Sequence, residues 1–327
     1  MDDETSAADV RDRYRLFAEL EGDLRSPRYA DWARGVAADA ELPVRLGSLP
    51  PVKQQPNLVL AAFRACGVPL APWPTIRDLV IERWDPILAT IRRRSTQTNE
   101  ARRLATLLPA FAALPQPLAL IEVGASMGLC LQPGRWSYNY NGLTVGDPTG
   151  PRLSADLDGP LPAAPQVAWS AGLDLNPLSA DNPADVAWLE ALIWPVGDGE
   201  VDTARVRRLH EAVALSREFG PTVRRGDLLE DTWALIDEAR ERAATVVVFH
   251  TAVLAYLKQD HRDLFAERMR NSDAHWISNE GLRVLPRVRD RLALSGIQPA
   301  ATDFLIALDE QPFALADAHG SWVRLLR

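Results

Sequence analysis

No run of about 18 consecutive apolar residues occurs in this chain, so a helix spanning a membrane is not expected. Cysteine is scarce. The two present, Cys66 and Cys130, form neither a disulfide framework nor a metal-ligand spacing, and no metal site is read. Their pairing is not expected in a reducing compartment. A basic excess is also missing. The net charge of −8 argues against broad electrostatic binding to nucleic acid or to an anionic membrane surface. The opening MDDETSAADVRDRYRLF has no basic n-region and no apolar h-region, so no secretory signal is read there and a cytoplasmic location is expected. No convincing internal repeat is visible.

What is there suits a sizeable core. A chain of 327 residues can form one large domain with an extension. Residues 1–114 read as a helical region. Tyr14–Glu21, Tyr29–Ala38 and Asn57–Cys66 carry apolar residues at helical spacing, Ser26-Pro27 marks a helix start, and Ile76–Leu114 supplies further helix. Proline-rich connections separate these pieces. From residue 115 the order becomes α/β. Strands are expected at Leu118–Val123, Val167–Leu175, Thr222–Arg225, Thr245–Phe249 and Ala274–Ser278. Helices are expected at Ala184–Trp194, Val201–Arg217, Asp231–Ala243, Arg262–Arg270 and Val284–Leu294. Residues 132–165, rich in Pro, Gly, Tyr and Asp, read as an insertion with a short hairpin. The tail reads as a terminal hairpin turning near Glu310–Pro312. Strands separated by helices imply a mainly parallel sheet covered on both faces.

The most informative stretch is LALIEVGASMGLCL, residues 118–131. It reads as a strand, a tight glycine turn, and a helix starting at Met127–Leu131. Such a turn lets backbone N–H groups and a helix N-terminus approach a nucleotide-like ligand. Glu122 stands two places before the first glycine. Dinucleotide-binding folds place their acidic residue later, at the end of the second strand. Folds that bind S-adenosylmethionine often carry an additional one at this earlier place. In an open sheet, ligands sit at the carboxyl ends of the strands near the switch in strand order. The polar residues expected there are Glu122, Asp174 with Asn176, Asp227, His250 with Thr251, and Asn279 with Glu280.

Each has a role available. Gly124, Ala125, Ser126 and Gly128 would bring the loop to the ligand's amino-acid end. Asp174 and Asn176 would meet ribose hydroxyls. Asp227 would accept from the adenine amine, with Leu228 beside the ring. His250 could take a proton from an acceptor hydroxyl or amine, and Glu280 could do the same or hold a substrate cation. Gln54, Gln55, Tyr138, Tyr140 and His319 are candidate contacts to the acceptor, beneath a lid formed by the N-terminal helices and the insertion. The same residues also have structural readings. Asp174 can cap the following helix, Asp227 can be a turn residue, His250 a hydrogen-bonded core residue, and Tyr138 and Tyr140 loop decoration. The tryptophans at 169, 188, 194 and 233 are read as packing residues.

A family resemblance rests on several segments in order: IEVGASMGL, GLDLNP, WLEALIWP, GDLLED, VVVFHTAVLAYL, WISNEG and HGSWVRLL. Together they resemble a bacterial family catalogued as domain of unknown function 2332, over nearly the whole chain. That resemblance implies a methyltransferase-like Rossmann sheet, mainly parallel with a C-terminal antiparallel hairpin, behind the N-terminal helical region. With that fold, the glycine turn and the polar strand ends make S-adenosylmethionine the expected cofactor and methyl transfer to a small, partly polar molecule the expected function. Two departures from the wider methyltransferase pattern stand out. Ser126 occupies the middle position of the loop, where glycine is usual. The segment FHTAVL lacks the Asp/Asn-Pro-Pro-aromatic signature of many amino-methylating enzymes. Two other readings stay open. One is a binding or scaffold protein that keeps the fold without catalysis. The other is a serine esterase, because residues 124–128 satisfy G-x-S-x-G with Ser126 as nucleophile. Against the esterase stand the helices upstream, the lack of an HGGG-type segment and the unused Glu122.

Overall fold

The computed structural model describes residues 2–220, 222–242 and 245–326. The first helices are α1 (Asp2–Phe17), α2 (Asp23–Arg25), α3 (Pro27–Ala38), α4 (Leu42–Gly47), α5 (Pro56–Ala65), α6 (Trp73–Glu82), α7 (Trp84–Arg93) and α8 (Arg103–Ala112). Then come β1 (Leu118–Val123), β2 (Ser137–Tyr140), β3 (Leu143–Gly146), β4 (Arg152–Asp158) and β5 (Val167–Asp174). They are followed by α9 (Pro183–Ala191), α10 (Thr203–Phe219), β6 (Thr222–Arg225), α11 (Thr232–Arg240), β7 (Thr245–Thr251) and α12 (Gln259–Arg270). The chain closes with β8 (His275–Gly281), α13 (Pro286–Leu294), β9 (Phe304–Leu308), β10 (Gln311–Ala316) and β11 (Trp322–Leu325). Ala243, the expected end of the helix here labelled α11, lies outside the described residues.

The chain divides into two compact units. One holds residues 1–99 and 182–207, the other residues 100–181 and 208–327. This departs from a single boundary at residue 114. Helix α8 belongs with the sheet, and α9 belongs with the N-terminal helices.

The helical unit is held by aromatic packing and by one arginine. Phe17 meets Trp194 edge-on at 5.3 Å, Tyr29 lies 5.7 Å from both Trp194 and Trp32, and Trp32 lies 6.2 Å from Phe63. The Arg64 guanidinium donates to the carbonyls of Ala191 and Ile193. A charged fork thereby satisfies carbonyls at the end of α9 that have no helical partner. Ser26 caps α3 as expected, accepting from Tyr29 N–H, with Pro27 opening the helix.

The other unit is a mixed α/β structure around one eleven-stranded sheet, ordered β3-β2-β4-β11-β10-β9-β8-β7-β1-β5-β6. Its part β6-β5-β1-β7-β8 is parallel throughout. Strands β9 and β10 then continue it as an antiparallel hairpin. Central β1 and β7 are buried at every position, which is why they read as continuous apolar runs. Edge strand β6 exposes Arg224 and Arg225, charges that discourage further pairing.

The insertion does not form a lid. Its strands β2, β3 and β4 extend the same sheet, with β4 pairing in parallel with β11. The hairpin between β2 and β3 turns at Asn141-Gly142, both with positive φ, as a tight two-residue turn demands. Helix α8 is buried from Arg103 to Phe111. It packs against β4 and β11, its Ala105 carbonyl accepts the Tyr140 hydroxyl, and Phe111 meets Phe249 of β7 edge-on at 5.2 Å. A helix apolar on nearly all sides is suited to such enclosure.

No α-helix follows β1, only a short 3-10 turn at Pro133–Arg135. Gly124, Ser126 and Gly128 all have positive φ, at 71°, 57° and 75°. Left-handed residues two apart prevent the consecutive right-handed residues that a helix needs. Residues 125–131 are nonetheless buried. Their apolar pattern comes from packed turns rather than from an amphipathic helix. Gly124 lies under β7's exit, where an added Cβ would stand 2.4 Å from Val253 Cγ2. Gly124→Ala should therefore destabilise the protein by about 1–3 kcal/mol in denaturant unfolding. Adding Val253→Ala should recover the steric part. A fully stable Gly124→Ala protein would contradict this packing.

Candidate functional site

The carboxyl edge of the parallel strands gathers most of the residues singled out above. The switch in strand order falls at β1, where β5 lies on one side and β7 on the other. The glycine loop at this point is closed on itself. Gly124 N–H and Ala125 N–H both donate to the Leu173 carbonyl, at 2.7 and 3.1 Å. Ser126 N–H donates to Asp174 Oδ2 at 2.8 Å, and Gly128 N–H to the Ala125 carbonyl at 2.7 Å. The expectation that these amides face a ligand is thus corrected: in this conformation they serve the β1–β5 junction. Asp174 acts as the loop's anchor, since its Oδ1 also accepts Asn176 N–H at 2.7 Å. With no α-helix after the loop, there is no α-helix N-terminus at this place either.

Side chains alternate across the sheet, so the strand ends present two faces. On the face covered by α12 lies a closed buried relay. The Trp276 indole N–H donates to His250 Nε2 at 3.0 Å. Indole can only donate, so Nε2 carries the lone pair and the proton sits on Nδ1. That Nδ1–H faces Glu280 Oε1 at 2.8 Å. The same oxygen accepts the N–H groups of Val253 and Leu254 at 2.8 and 2.9 Å. His250 is completely buried, with Phe265 packed edge-on against it. Its expected role as a general base facing a cleft does not fit, because both ring nitrogens are engaged. Glu280, likewise, is a positioning residue for the turn after β7. Its Oε2 has no partner in the protein, and the residue lines a cavity of about 10 Å³ together with Ser278, Leu285 and Leu305. A space of this size holds a single water.

The opposite face, toward α8, differs in character. Register pairs Glu122 with Phe249, Phe249 with Ile277, and Thr251 with Asn279, so Glu122, Thr251 and Asn279 share it. Arg103 Nη1 donates to the Thr251 carbonyl and hydroxyl, each at 3.1 Å, and its Nε donates to the Ala318 carbonyl at 3.0 Å. Sequence reasoning missed Arg103. The available signal was a charge opening an otherwise apolar helix. Glu122 is buried, and its Oε2 has no partner. Burial pushes its carboxyl well above the ordinary range. The nearby Asp174 charge pushes the same way, and the Arg103 guanidinium pulls it partly back. Ser126 Oγ is buried without a partner, and so are both amide atoms of Asn279. Glu122 and Ser126 lie at the strand-order switch and Asn279 two strands away, and since buried polar groups are normally bonded, these are the atoms at which a ligand or ordered water would find open partners.

The remaining candidates fall elsewhere. Asp227 is exposed, its Oδ1 accepts Leu229 N–H at 2.7 Å, and half-buried Leu228 packs on the core. Tyr138 and Tyr140 are not pocket residues. Both are buried and stacked at 6.3 Å, and their hydroxyls donate to the carbonyls of Pro133 and Ala105. Gln54 is buried in the helical unit, where its Nε2 donates to Leu49 and its Oε1 accepts from Arg13. Gln55 precedes α5 without a capping bond from its side chain. His319 sits in the turn before β11, where its carbonyl accepts from Arg102. Among the described residues no group of three or more His, Cys, Asp or Glu could hold a metal, and no helix is long and apolar enough to cross a membrane.

The Ser126 nucleophile reading gains one feature and loses two. A serine at φ 57° after a strand suits a nucleophile elbow. No α-helix follows it, however, and His250 Nε2 is held by Trp276.

A family model described as an uncharacterized protein conserved in bacteria (DUF2332) matches residues 11–324. The chain belongs to this family. No curated protein and no solved structure matches it.

Two outcomes test this geometry. In the folded protein Glu122 holds its proton to higher pH than in the unfolded chain, so its own contribution to stability is present at acidic pH and falls as pH rises above about 4.5. Glu122→Gln removes that loss. Its advantage in thermal unfolding should be absent at acidic pH and grow with pH by up to about 1.4 kcal/mol per unit. A pH-independent difference would show that the carboxyl is not perturbed. His250→Ala should lower stability by about 2–4 kcal/mol, because it opens a cavity and frees Trp276 and Glu280 from their partner. An unchanged unfolding midpoint would contradict the buried relay.

Proposed function

We propose that this protein binds S-adenosylmethionine at the carboxyl edge of its sheet and transfers the methyl group to a small, partly polar molecule. The observation that carries the reading is the pair of unpartnered buried side-chain atoms at the switch point, Glu122 Oε2 and Ser126 Oγ. The acidic residues ending three neighbouring strands support it. Glu122, Asp174 and Asp227 stand at or just beyond the ends of β1, β5 and β6, where a nucleoside lies across an open α/β sheet. The sheet is in this reading a methyltransferase-like Rossmann variant.

Recognition would fall to side chains, because the loop amides are engaged. Each Asp174 oxygen has accepted one N–H and keeps capacity for a ribose hydroxyl. Asp227 keeps acceptor capacity toward the adenine amine. The donor supplies an electrophilic methyl on sulfonium. The chain's part is to hold donor and acceptor in line, which needs no buried base. His250 and Glu280 therefore shape the turn at Val253 without touching the reacting atoms.

A second reading, a non-catalytic ligand-binding protein, is favoured by the engaged loop amides and the enclosed His250. Calorimetry with S-adenosylmethionine and S-adenosylhomocysteine tests binding. One-to-one binding is expected, weakened by about 1–3 kcal/mol in Asp174→Ala. If neither compound binds well-folded protein at millimolar concentration, the proposal fails. Formation of S-adenosylhomocysteine with an acceptor separates catalysis from binding alone.

A further inference from the structure

Asn279 ends up in an unusual position for an amide side chain. It is completely buried on β8, and neither its Oδ1 nor its Nδ2 has a partner in the protein. Its backbone lies within the ladder between β7 and β9, and its carbonyl accepts Ala252 N–H at 3.0 Å. Glu122 shares its face two strands away, roughly 10 Å across at ordinary strand spacing. Thr251 lies between them, fixed by Arg103.

We infer that Asn279 reads an uncharged amide-like edge, an N–H beside a C=O, on the molecule that accepts the methyl group. A carboxamide side chain offers one acceptor and one N–H pair in a single plane. The group that satisfies both at once has the same pattern reversed, as a carboxamide, lactam or imide has. An anion is not suited to this face. Arg103, the cation on this face, directs its Nε and Nη1 at carbonyls and the Thr251 hydroxyl rather than at the Asn279 amide. A cation finds no compensating charge either, since burial of Glu122 favours the neutral acid. The position also separates acceptor from donor. Asp174 and Asp227 lie on the β5–β6 side of β1, whereas Asn279 lies beyond β7 on the other side. This assignment of the acceptor rests on the methyl-transfer reading. The match between Asn279 and an amide edge does not.

The test uses the full chain and three probes of similar size: benzamide, benzoate and acetophenone, followed by ligand-observed NMR at millimolar concentration. Benzamide should bind, while benzoate and acetophenone should not. Asn279→Leu should weaken benzamide at least tenfold and leave S-adenosylhomocysteine affinity unchanged. It should not lower the melting temperature, because an unpartnered polar group is replaced by an apolar one of similar size. Asn279→Asp, which keeps the shape and removes the N–H donors, should show the same loss should the leucine variant fail to fold. The inference is overturned if benzamide does not bind, if benzoate or acetophenone binds as well, or if both variants retain benzamide. It is overturned too if Asn279→Leu abolishes S-adenosylhomocysteine binding, which would assign the amide to the donor's own base. Benzamide binding that depends on Asn279 without any S-adenosylhomocysteine binding supports the amide subsite and removes the methyl-transfer reading instead.

Discussion

Glu280 Oε1 accepts three hydrogen bonds inside the protein, from His250 Nδ1–H and from the amides of Val253 and Leu254. This one buried oxygen fixes how the chain leaves β7. Backbone N–H groups at a strand end need partners, and burial makes an unmet one costly. A carboxylate from the neighbouring strand supplies them. His250 is held in one tautomer between that oxygen and Trp276. The turn is thereby held down on the loop after β1, and Val253 reaches Gly124 so closely that no side chain fits between.

The loop after β1 shows the same physics on the other side. Leu173 and Asp174 of β5 take the N–H groups of Gly124, Ala125 and Ser126. The turn between β1 and the next segment is therefore welded to β5. Positive φ at three of five residues, 124, 126 and 128, is what lets the amides point that way. A loop built for close approach to a ligand and a loop built to join two strands share one sequence signature. Here the nearest carbonyl and carboxylate hold the donors.

The two faces of the strand ends thus have opposite characters. Toward α12 the polar groups form a relay, and Glu280 also lines one water-sized cavity. Toward α8, Thr251 is bonded by Arg103, while Glu122 Oε2 and both Asn279 amide atoms have no partner in the protein. Low dielectric makes such atoms costly unless a ligand or ordered water meets them. Arg103 tempers that cost. It brings a positive charge close enough to Glu122 to oppose the effect of burial, while bonding the end of β7.

Much of the architecture could be read from residue order. Strands β1 and β7 appear as continuous apolar runs between other elements, because a doubly covered parallel strand has no polar face to show. The hairpin of β2 and β3 announces itself in Asn141-Gly142. Strand β4 was legible too, in the alternation of RLSADLD, yet its composition resembles a loop. The stretch after Gly124 misled for a physical reason: packed turns and a buried helix are equally apolar, and periodicity cannot separate them. Local sequence determined which residues stand at the strand ends. It could not say which way they face or what reaches them. Whether His250 meets solvent or Trp276, whether Ser126 N–H meets a ligand or Asp174, and whether Asn279 finds any partner depend on segments 26 to 48 residues apart, or on no segment at all. Sequence alone set strands, turns and polar tips; only the folded sheet, by bringing distant donors and acceptors within bonding distance, decided which tips are satisfied within the protein and which are not.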